Sequence, residues 1–364
     1  MIVERFFCEN FRNLKNIEIE PCPNINLIYG QNAQGKTNLL EGLWLFTGLR
    51  SFRGTKDAEL KSIDCGENDR TKLGLRFFGG ERHQEAEILI EKKRKAFLNG
   101  VELKKSAELS EHCHAIIFSP DDLTVIKEGP QERRRFLNTA ICEVYPAYSE
   151  LLKKYNRVLQ QRNSLLKDLR YRDTMYAFLE DYEKVLASYG AKIIYTRKRY
   201  LEKISKYLPE IYSGLSGRRE EIFMRYETAA EDTEEAIFEI LKKNRAEDIL
   251  NGSTSVGPHR DDLSFTVNGL DVRKFGSQGQ QRSVILSLKL SEAEMLKNVS
   301  GEQPIALLDD VMSELDPLRQ DYILNHIKNW QVFVTLCDPF SIKRLKAGRT
   351  FHVEKGTVTK TGEN

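Results

Sequence analysis

Several classes of protein are excluded by what this chain lacks. No apolar run in its 364 residues approaches the length needed to cross a bilayer. The first residues, Met1 to Phe7, read as a strand with Glu4 and Arg5 inside it, so no signal peptide is expected and a cytoplasmic location is. The six cysteines show no CxxC spacing, as expected of reduced thiols that form no disulfide framework. His112-Cys113-His114 alternates across a strand with no second ligand pair behind it, which speaks against a metal. An excess of one charge is missing too, since 56 Lys and Arg meet 54 Asp and Glu. By itself that balance is a weak argument for a nucleic-acid partner. Its distribution says more: residues 151–206 carry 14 basic and 6 acidic side chains, and residues 207–250 carry 6 and 11.

What is present starts with Gly30-Gln31-Asn32-Ala33-Gln34-Gly35-Lys36-Thr37. The octapeptide follows a short apolar run, Ile25 to Tyr29, that reads as a buried strand, and precedes Leu39 to Phe46, which reads as a helix. A phosphate loop needs this context. Its glycines let the backbone curl so that successive N–H groups face the phosphates, Lys36 can reach the β and γ oxygens, and the Thr37 hydroxyl can hold Mg²⁺. Near the other end, Ile305-Ala306-Leu307-Leu308-Asp309-Asp310 reads as a central parallel strand ending at a metal site, with Asp309 on Mg²⁺ and Asp310 as the carboxylate that polarises water. A site for ATP and Mg²⁺ is expected.

Between these segments Phe275-Gly276-Ser277-Gln278-Gly279-Gln280-Gln281-Arg282 precedes an apolar helical stretch, Val284 to Met295. Ser277 there reads either as an ordinary helix cap or as part of a second anion site with the N–H groups around Gln278, Gly279 and Gln280. The segment resembles the signature motif of ABC-type ATPases, with Gln278 where a glycine is usual. That resemblance implies contact in trans with the γ-phosphate held by a second head, and Ser313-Glu314-Leu315-Asp316 resembles the loop that lines the same seam, which places Asp316 near the nucleotide.

From Lys36 to Ser277 there are 241 positions, far more than a transporter ATPase needs. The whole chain resembles the RecF family of bacterial recombination mediators. The matching stretches are Asn10-Phe11-Arg12-Asn13, the phosphate loop through Asn38, Phe118-Ser119-Pro120-Asp121-Asp122-Leu123, Lys127 to Pro130, Arg133-Arg134-Arg135-Phe136-Leu137, Gln161-Arg162-Asn163, Val256 to Leu263 and Leu308 to Asp316. The resemblance implies an α/β, SMC-like ABC-type ATPase head with a mixed sheet, a helical lobe and an ATP-dependent homodimer. It also implies weak DNA-stimulated hydrolysis, recognition of gapped double-stranded DNA or of a duplex to single-strand junction, and partnership with RecR that helps load RecA. ABC ATPases commonly carry a histidine just after the strand that follows the acidic one. Here Thr335-Leu336-Cys337-Asp338 stands in that region, so slow hydrolysis is expected. The competing reading, a chromosome-structural or nuclease-associated head, needs a longer arm than this chain has.

The expected organisation is 1–125 for the N-terminal half of the head, 126–250 for the helical lobe and 251–364 for the C-terminal half. Asn99-Gly100 and Asn268-Gly269 suit type I′ hairpin turns. Gln131 to Arg170 reads as helix broken at Pro146. One apolar stripe runs from Leu151 to Leu169 and a second from Phe178 to Ile194, with a turn at Tyr171 to Thr174, which suggests an antiparallel helical hairpin. Two basic patches are candidates for phosphate tracking: Lys153, Arg157 and Arg162 on the arm, with Arg197 and Lys198 on the return, and Lys92-Lys93-Arg94-Lys95 near the first hairpin. Neither has the interleaved aromatics of a single-strand stacking surface, so recognition of duplex backbone is expected.

Overall fold

The protein is described from a computed structural model over residues 1–66, 69–170, 173–217, 219–338 and 348–363. Three sheets organise it. The first is antiparallel and contains β1 (Ile2–Phe11), β2 (Leu14–Ile19), β4 (Thr71–Gly79), β5 (Arg82–Ile90), β6 (Arg94–Leu98) and β7 (Val101–Glu102), in the order β2-β1-β4-β5-β6-β7. Alternation along these strands sends Phe6, Leu73, Leu75, Phe77, Ile88 and Ile90 into the core. Asn99 and Gly100 turn the β6–β7 hairpin with φ of 49° and 81°, the positive pair that a type I′ turn requires.

The second sheet carries the chemistry. It comprises β3 (Ile25–Tyr29), β8 (Ala115–Phe118), β12 (Ile305–Asp309), β13 (Val332–Leu336), β14 (Arg349–Glu354) and β15 (Thr357–Glu363), ordered β15-β14-β3-β13-β12-β8. Its pairs are parallel except β14 with β15, so the sheet is mixed. Every residue of β8, β12 and β13 is buried, which is why these strands read as unbroken apolar runs. Parallel sheets place ligands beyond the carboxyl ends of their strands. Here β3, β13 and β12 lie side by side and end at Gly30, Cys337 and Asp310.

The third sheet, β9 (Ile222–Glu227), β10 (Asp262–Val267) and β11 (Leu270–Asp271), is antiparallel, and Asn268-Gly269 turns its hairpin with φ of 49° and 80°. The helices are α1 (Lys36–Trp44), α2 (Thr124–Lys127), α3 (Pro130–Val144), α4 (Ala147–Leu169), α5 (Leu179–Ile204), α6 (Leu208–Leu215), α7 (Glu234–Lys243), α8 (Arg245–Asn251), α9 (Val272–Phe275), α10 (Gln278–Ser300) and α11 (Pro317–His326). The chain breaks between α3 and α4 at Tyr145-Pro146. Of the expected turn at Tyr171 to Thr174, Tyr171 and Arg172 lie outside the described residues, and the chain resumes as a 3₁₀ turn at Asp173–Phe178.

Two compact units result. The first is Met1–Leu123, Glu210–Glu220 and Arg282–Asn364; the second is Thr124–Pro209 and Glu221–Gln281. A boundary at 250/251 therefore does not divide the fold. Antiparallel pairing of β10 with β9 ties residues 262–267 to the helical unit, so the division falls inside α10.

In the helical unit α4 packs against α5. The buried stripe differs from the apolar one read along the sequence. On α5 it runs Leu179, Glu183, Leu186, Gly190, Ile193, Arg197, Tyr200, Ile204, alternating four and three residues apart, while Val185 and Phe178 are 41% and 56% exposed. On α4, Tyr148, Tyr155, Arg162 and Leu169 recur every seven residues. Charged side chains thus occupy core positions of a heptad pattern.

Candidate nucleotide site

The phosphate loop joins β3 to α1, and its shape depends on close approaches that only glycine allows. Gly30 has φ of 154°, and a Cβ there would stand 2.3 Å from the Val353 carbonyl oxygen. At Gly35, φ is 119° and a Cβ would meet Leu14 at 2.7 Å and Asn13 Oδ1 at 2.8 Å. Lys36 is buried, its Nζ donating to the carbonyls of Gly30 (2.6 Å) and Gln31 (2.9 Å), so its ammonium is already folded into the loop. Gln31, Asn32 and Ala33 are exposed along the crest, and Ala33 has φ of 64°.

The loop is gripped from both flanks. Asn13 Nδ2 donates to Gln34 O at 3.1 Å, and Asn13 Oδ1 accepts from Asn38 Nδ2 at 2.7 Å. On the other flank the Lys355 N–H donates to Gln34 Oε1 at 2.7 Å and the Gly356 N–H to Gln34 O at 3.3 Å. Asn13 and Gln34 are thus braces of the loop. Arg12 makes a two-pronged contact with the fully buried Glu41 of α1, at 2.9 and 2.8 Å, and the Ser51 hydroxyl donates to the same carboxylate.

At the end of β12, Asp309 Oδ1 accepts from the Thr37 hydroxyl at 3.0 Å and from the Thr335 hydroxyl at 2.8 Å. Burial pushes the Asp309 carboxyl above the ordinary carboxylate range, against the pull of these two hydrogen bonds, and Asp310 adds to the push. A buried carboxylate beside a hydroxyl at the mouth of a phosphate loop calls for a cation. The donor set therefore fits Mg²⁺, with Thr37 and Asp309 as the residues that would hold it. Asp310 follows with φ of 52°; its N–H donates to Thr335 Oγ1 at 2.9 Å, and its Oδ1 faces the Ser313 hydroxyl at 3.0 Å. Cys337, exposed at the end of β13, donates to Asn32 Oδ1 at 2.9 Å and lies 3.8 Å from Lys36 Nζ. Thr335 and Asn13 fall in stretches named from the sequence, which gave neither of them a role in the site. A threonine inside an apolar strand was the available signal.

The signature stretch is a capping box. The Ser277 N–H donates to Gln280 Oε1 at 2.8 Å, and the Gln280 N–H donates to Ser277 Oγ at 3.2 Å. Ser277 and Gln278 are exposed, and Gly279 is half-buried. Because the Ser277 oxygen is used as an acceptor, its own proton is left to donate outward. Asp316 caps α11: Oδ1 accepts from the Arg319 N–H at 3.1 Å and Oδ2 pairs with the Arg319 guanidinium. Each of its oxygens thereby has a partner within the loop and helix.

Comparison with known proteins places this geometry. The RecF/RecN/SMC N terminal domain model matches residues 2–359. The DNA replication and repair protein RecF of Agathobacter rectalis is 39% identical over 98% of this chain and 99% of its own length. The chain belongs to the RecF family. Its counterpart from Clostridium kluyveri is 40% identical over 96% and 97% of the two chains. A solved structure of the recombination mediator protein RecF with ATP, from the RecFOR pathway, superposes with a TM-score of 0.90 at 37% identity over 99% of this chain and 98% of that one. The Smc head domain of Pyrococcus furiosus, at 15% identity and a TM-score of 0.55 over 99% and 96%, shares the fold. The α/β head expected from the motifs is the fold of this RecF-family chain.

The basic candidates of this RecF-family chain separate once burial is known. Arg162 is fully buried, its Nη1 donating to Asp248 at 2.7 Å and to Thr254 Oγ1 at 2.7 Å, and its Nη2 to Glu183 at 2.9 Å. It cannot reach DNA. Arg197 is likewise buried, donating to the Pro258 carbonyl at 2.7 Å and to Asn138 at 3.0 Å, and Lys198 pairs with Asp232 at 2.6 Å. Arg94 shares the inward face of β6 with Ala96 and donates to the Leu49 carbonyl at 2.7 Å and Asp57 at 2.5 Å, so it also leaves the DNA-facing set. Lys92, Lys93, Lys95, Lys153 and Arg157 are exposed; Lys153 pairs with Glu150 at 2.9 Å.

Proposed function

We propose that this RecF-family protein is an ATP-hydrolysing, DNA-binding protein of recombinational repair and replication restart. Two copies close on ATP and grip gapped duplex DNA, and they act with RecR to promote RecA loading. The observation that carries the reading is Asp309, buried between the Thr37 and Thr335 hydroxyls at the mouth of a preformed phosphate loop. Lys36, now bonded to loop carbonyls, supplies the cation for the β and γ oxygens. Thr37 and Asp309 would hold Mg²⁺, which would supply the charge that offsets the phosphates. Asp310, held beside Ser313, orients the attacking water and accepts its proton. Cys337-Asp338, not a histidine, follows β13 directly, so turnover is slow.

The dimer follows from Ser277. Its outward proton and the N–H groups at the start of α10 form an anion site. A γ-phosphate presented by a second copy fills it, and a diphosphate does not reach. Sedimentation of the purified protein with ATP, with ADP and without nucleotide tests this, with Ser277→Arg as the variant. ATP alone should pair the wild-type heads, and Ser277→Arg should bind ATP as a monomer. A variant that still dimerises with ATP, or a wild type equally dimeric without nucleotide, overturns the reading.

A further inference from the structure

In the helical unit the stretch Arg133-Arg134-Arg135 on α3 meets His259-Arg260-Asp261-Asp262 before β10, and the fold distributes the charges unequally. Asp262 goes to Arg133, which grips it at 2.6 and 2.9 Å and also donates to the Glu128 carbonyl at 2.8 Å. Asp261 is buried against the Tyr226 hydroxyl and 3.7 Å from Arg197. The two carboxylates are thereby used up. Arg134 and Arg260 are left with backbone carbonyls: Arg134 Nη1 donates to Asp261 O at 2.7 Å, and Arg260 Nε and Nη2 share Thr254 O at 3.3 and 3.2 Å. Among the described residues neither forms a salt bridge.

These anchors fix the two guanidinium groups without neutralising them. Arg260 is exposed and Arg134 half-buried, and each keeps most of its N–H donors unused. Burial holds Arg134 below the ordinary arginine range, and the nearby Arg197 and Arg260 push it further, against the opposing pull of Asp262 and Asp261. Cations that repel each other while anchored call for an anion. His259 does not compete, because its Nε2 faces the Thr254 carbonyl at 3.0 Å and its Nδ1 the Tyr155 hydroxyl at 2.7 Å, which fixes the neutral ring. We propose that Arg134 and Arg260 form a phosphate clamp that takes the sugar-phosphate backbone of DNA. The proposal rests on the DNA-binding reading above and relocates part of that contact from the arm face to this pair. Two anchored guanidinium forks, one exposed and one half-buried, suit a repeating polyanion.

The test is the salt dependence of binding to a gapped duplex, with ATP present, for wild type, for Arg134→Gln/Arg260→Gln and for Lys153→Gln/Arg157→Gln. Removing the clamp should weaken binding and lower the log–log slope by about two, one for each phosphate no longer neutralised. Arg134→Lys/Arg260→Lys, which keeps both charges, should hold the wild-type slope. If thermal melting shows that the double Gln variant is unfolded, Arg260→Gln alone carries the test, since His259 still satisfies the Thr254 carbonyl; its slope should drop by about one. A slope unchanged in the Gln variant returns the pair to ordinary solvated arginines and overturns the clamp while leaving DNA binding intact. A wild-type protein that binds no duplex overturns both.

Discussion

The Thr335 hydroxyl lies 2.8 Å from Asp309 Oδ1, to which it donates, and accepts the Asp310 N–H at 2.9 Å, so one buried group on β13 sets both Asp309, which ends β12, and Asp310, which follows it. The expected variant is Thr335→Val, similar in shape and lacking both functions. Each buried partner left unsatisfied costs about 1–3 kcal/mol. Thermal melting should fall accordingly, and ATP hydrolysis should decline more than ATP binding, with Thr335→Ser restoring it. Wild-type hydrolysis by the valine variant across a Mg²⁺ titration would remove Thr335 from the site.

Asp310→Asn keeps the shape and the Ser313 contact but loses the basicity. Nucleotide-binding and turnover assays should separate, with ATP retained and hydrolysis down by roughly a hundredfold or more, the usual scale for a general base. Turnover near the wild-type rate would show that another group activates the water.

Arg162→Leu should act on stability and not on DNA contact. The substitution strands Asp248, and leaves Glu183 with Arg245 alone, in a fully buried cluster. Breaking such a pair from one side costs roughly 3–5 kcal/mol. Lys153→Gln, by contrast, should stay within about 0.5 kcal/mol of wild type. Denaturant melts of the two variants decide the matter, and an Arg162→Leu protein as stable as wild type would contradict the buried network.

Acid should loosen the helical unit through His259. Burial, with help from Arg260 and Arg134, lowers its pKa from 6.5 to about 4. The unfolded chain therefore takes up a proton that the folded chain refuses. Stability from this residue is complete above about pH 6.5 and is lost as pH falls toward 4, on the order of 3 kcal/mol over the window. His114, also lowered to about 4 by burial, has the same sign in the other unit. His259→Asn should flatten the melting-versus-pH curve over that range, and an unaltered curve would count against it.

The parts of the fold legible in the sequence are those whose signals are local. Ile25–Tyr29, Ile305–Asp309 and Val332–Leu336 announce themselves as short apolar runs because both faces of the strand are covered, and Asn-Gly marks both I′ turns. What stayed illegible depends on partners far along the chain. Arg162 sits at a heptad core position, but a charge on an amphipathic helix reads as solvated unless Glu183 and Asp248, 21 and 86 residues away, are known to meet it. The basic excess of 151–206 and the acidic excess of 207–250 partly cancel in this way, through Arg162 with Asp248 and Lys198 with Asp232. Thr335 was hidden for the same reason: its hydroxyl matters only beside a strand 26 residues upstream.

The grip on Gln34 has a consequence for the order of synthesis. One brace, Asn13, emerges from the ribosome before the phosphate loop does, but the other, the Lys355-Gly356 turn, begins 321 residues after Gln34, and Gly356 must be bare for its backbone to lie against Asn13, where a Cβ would come within 2.0 Å of the carbonyl oxygen. A nascent chain that has not reached Lys355 therefore carries a loop that is complete in sequence and braced on one flank only. A fully braced phosphate loop therefore awaits the synthesis of Gly356.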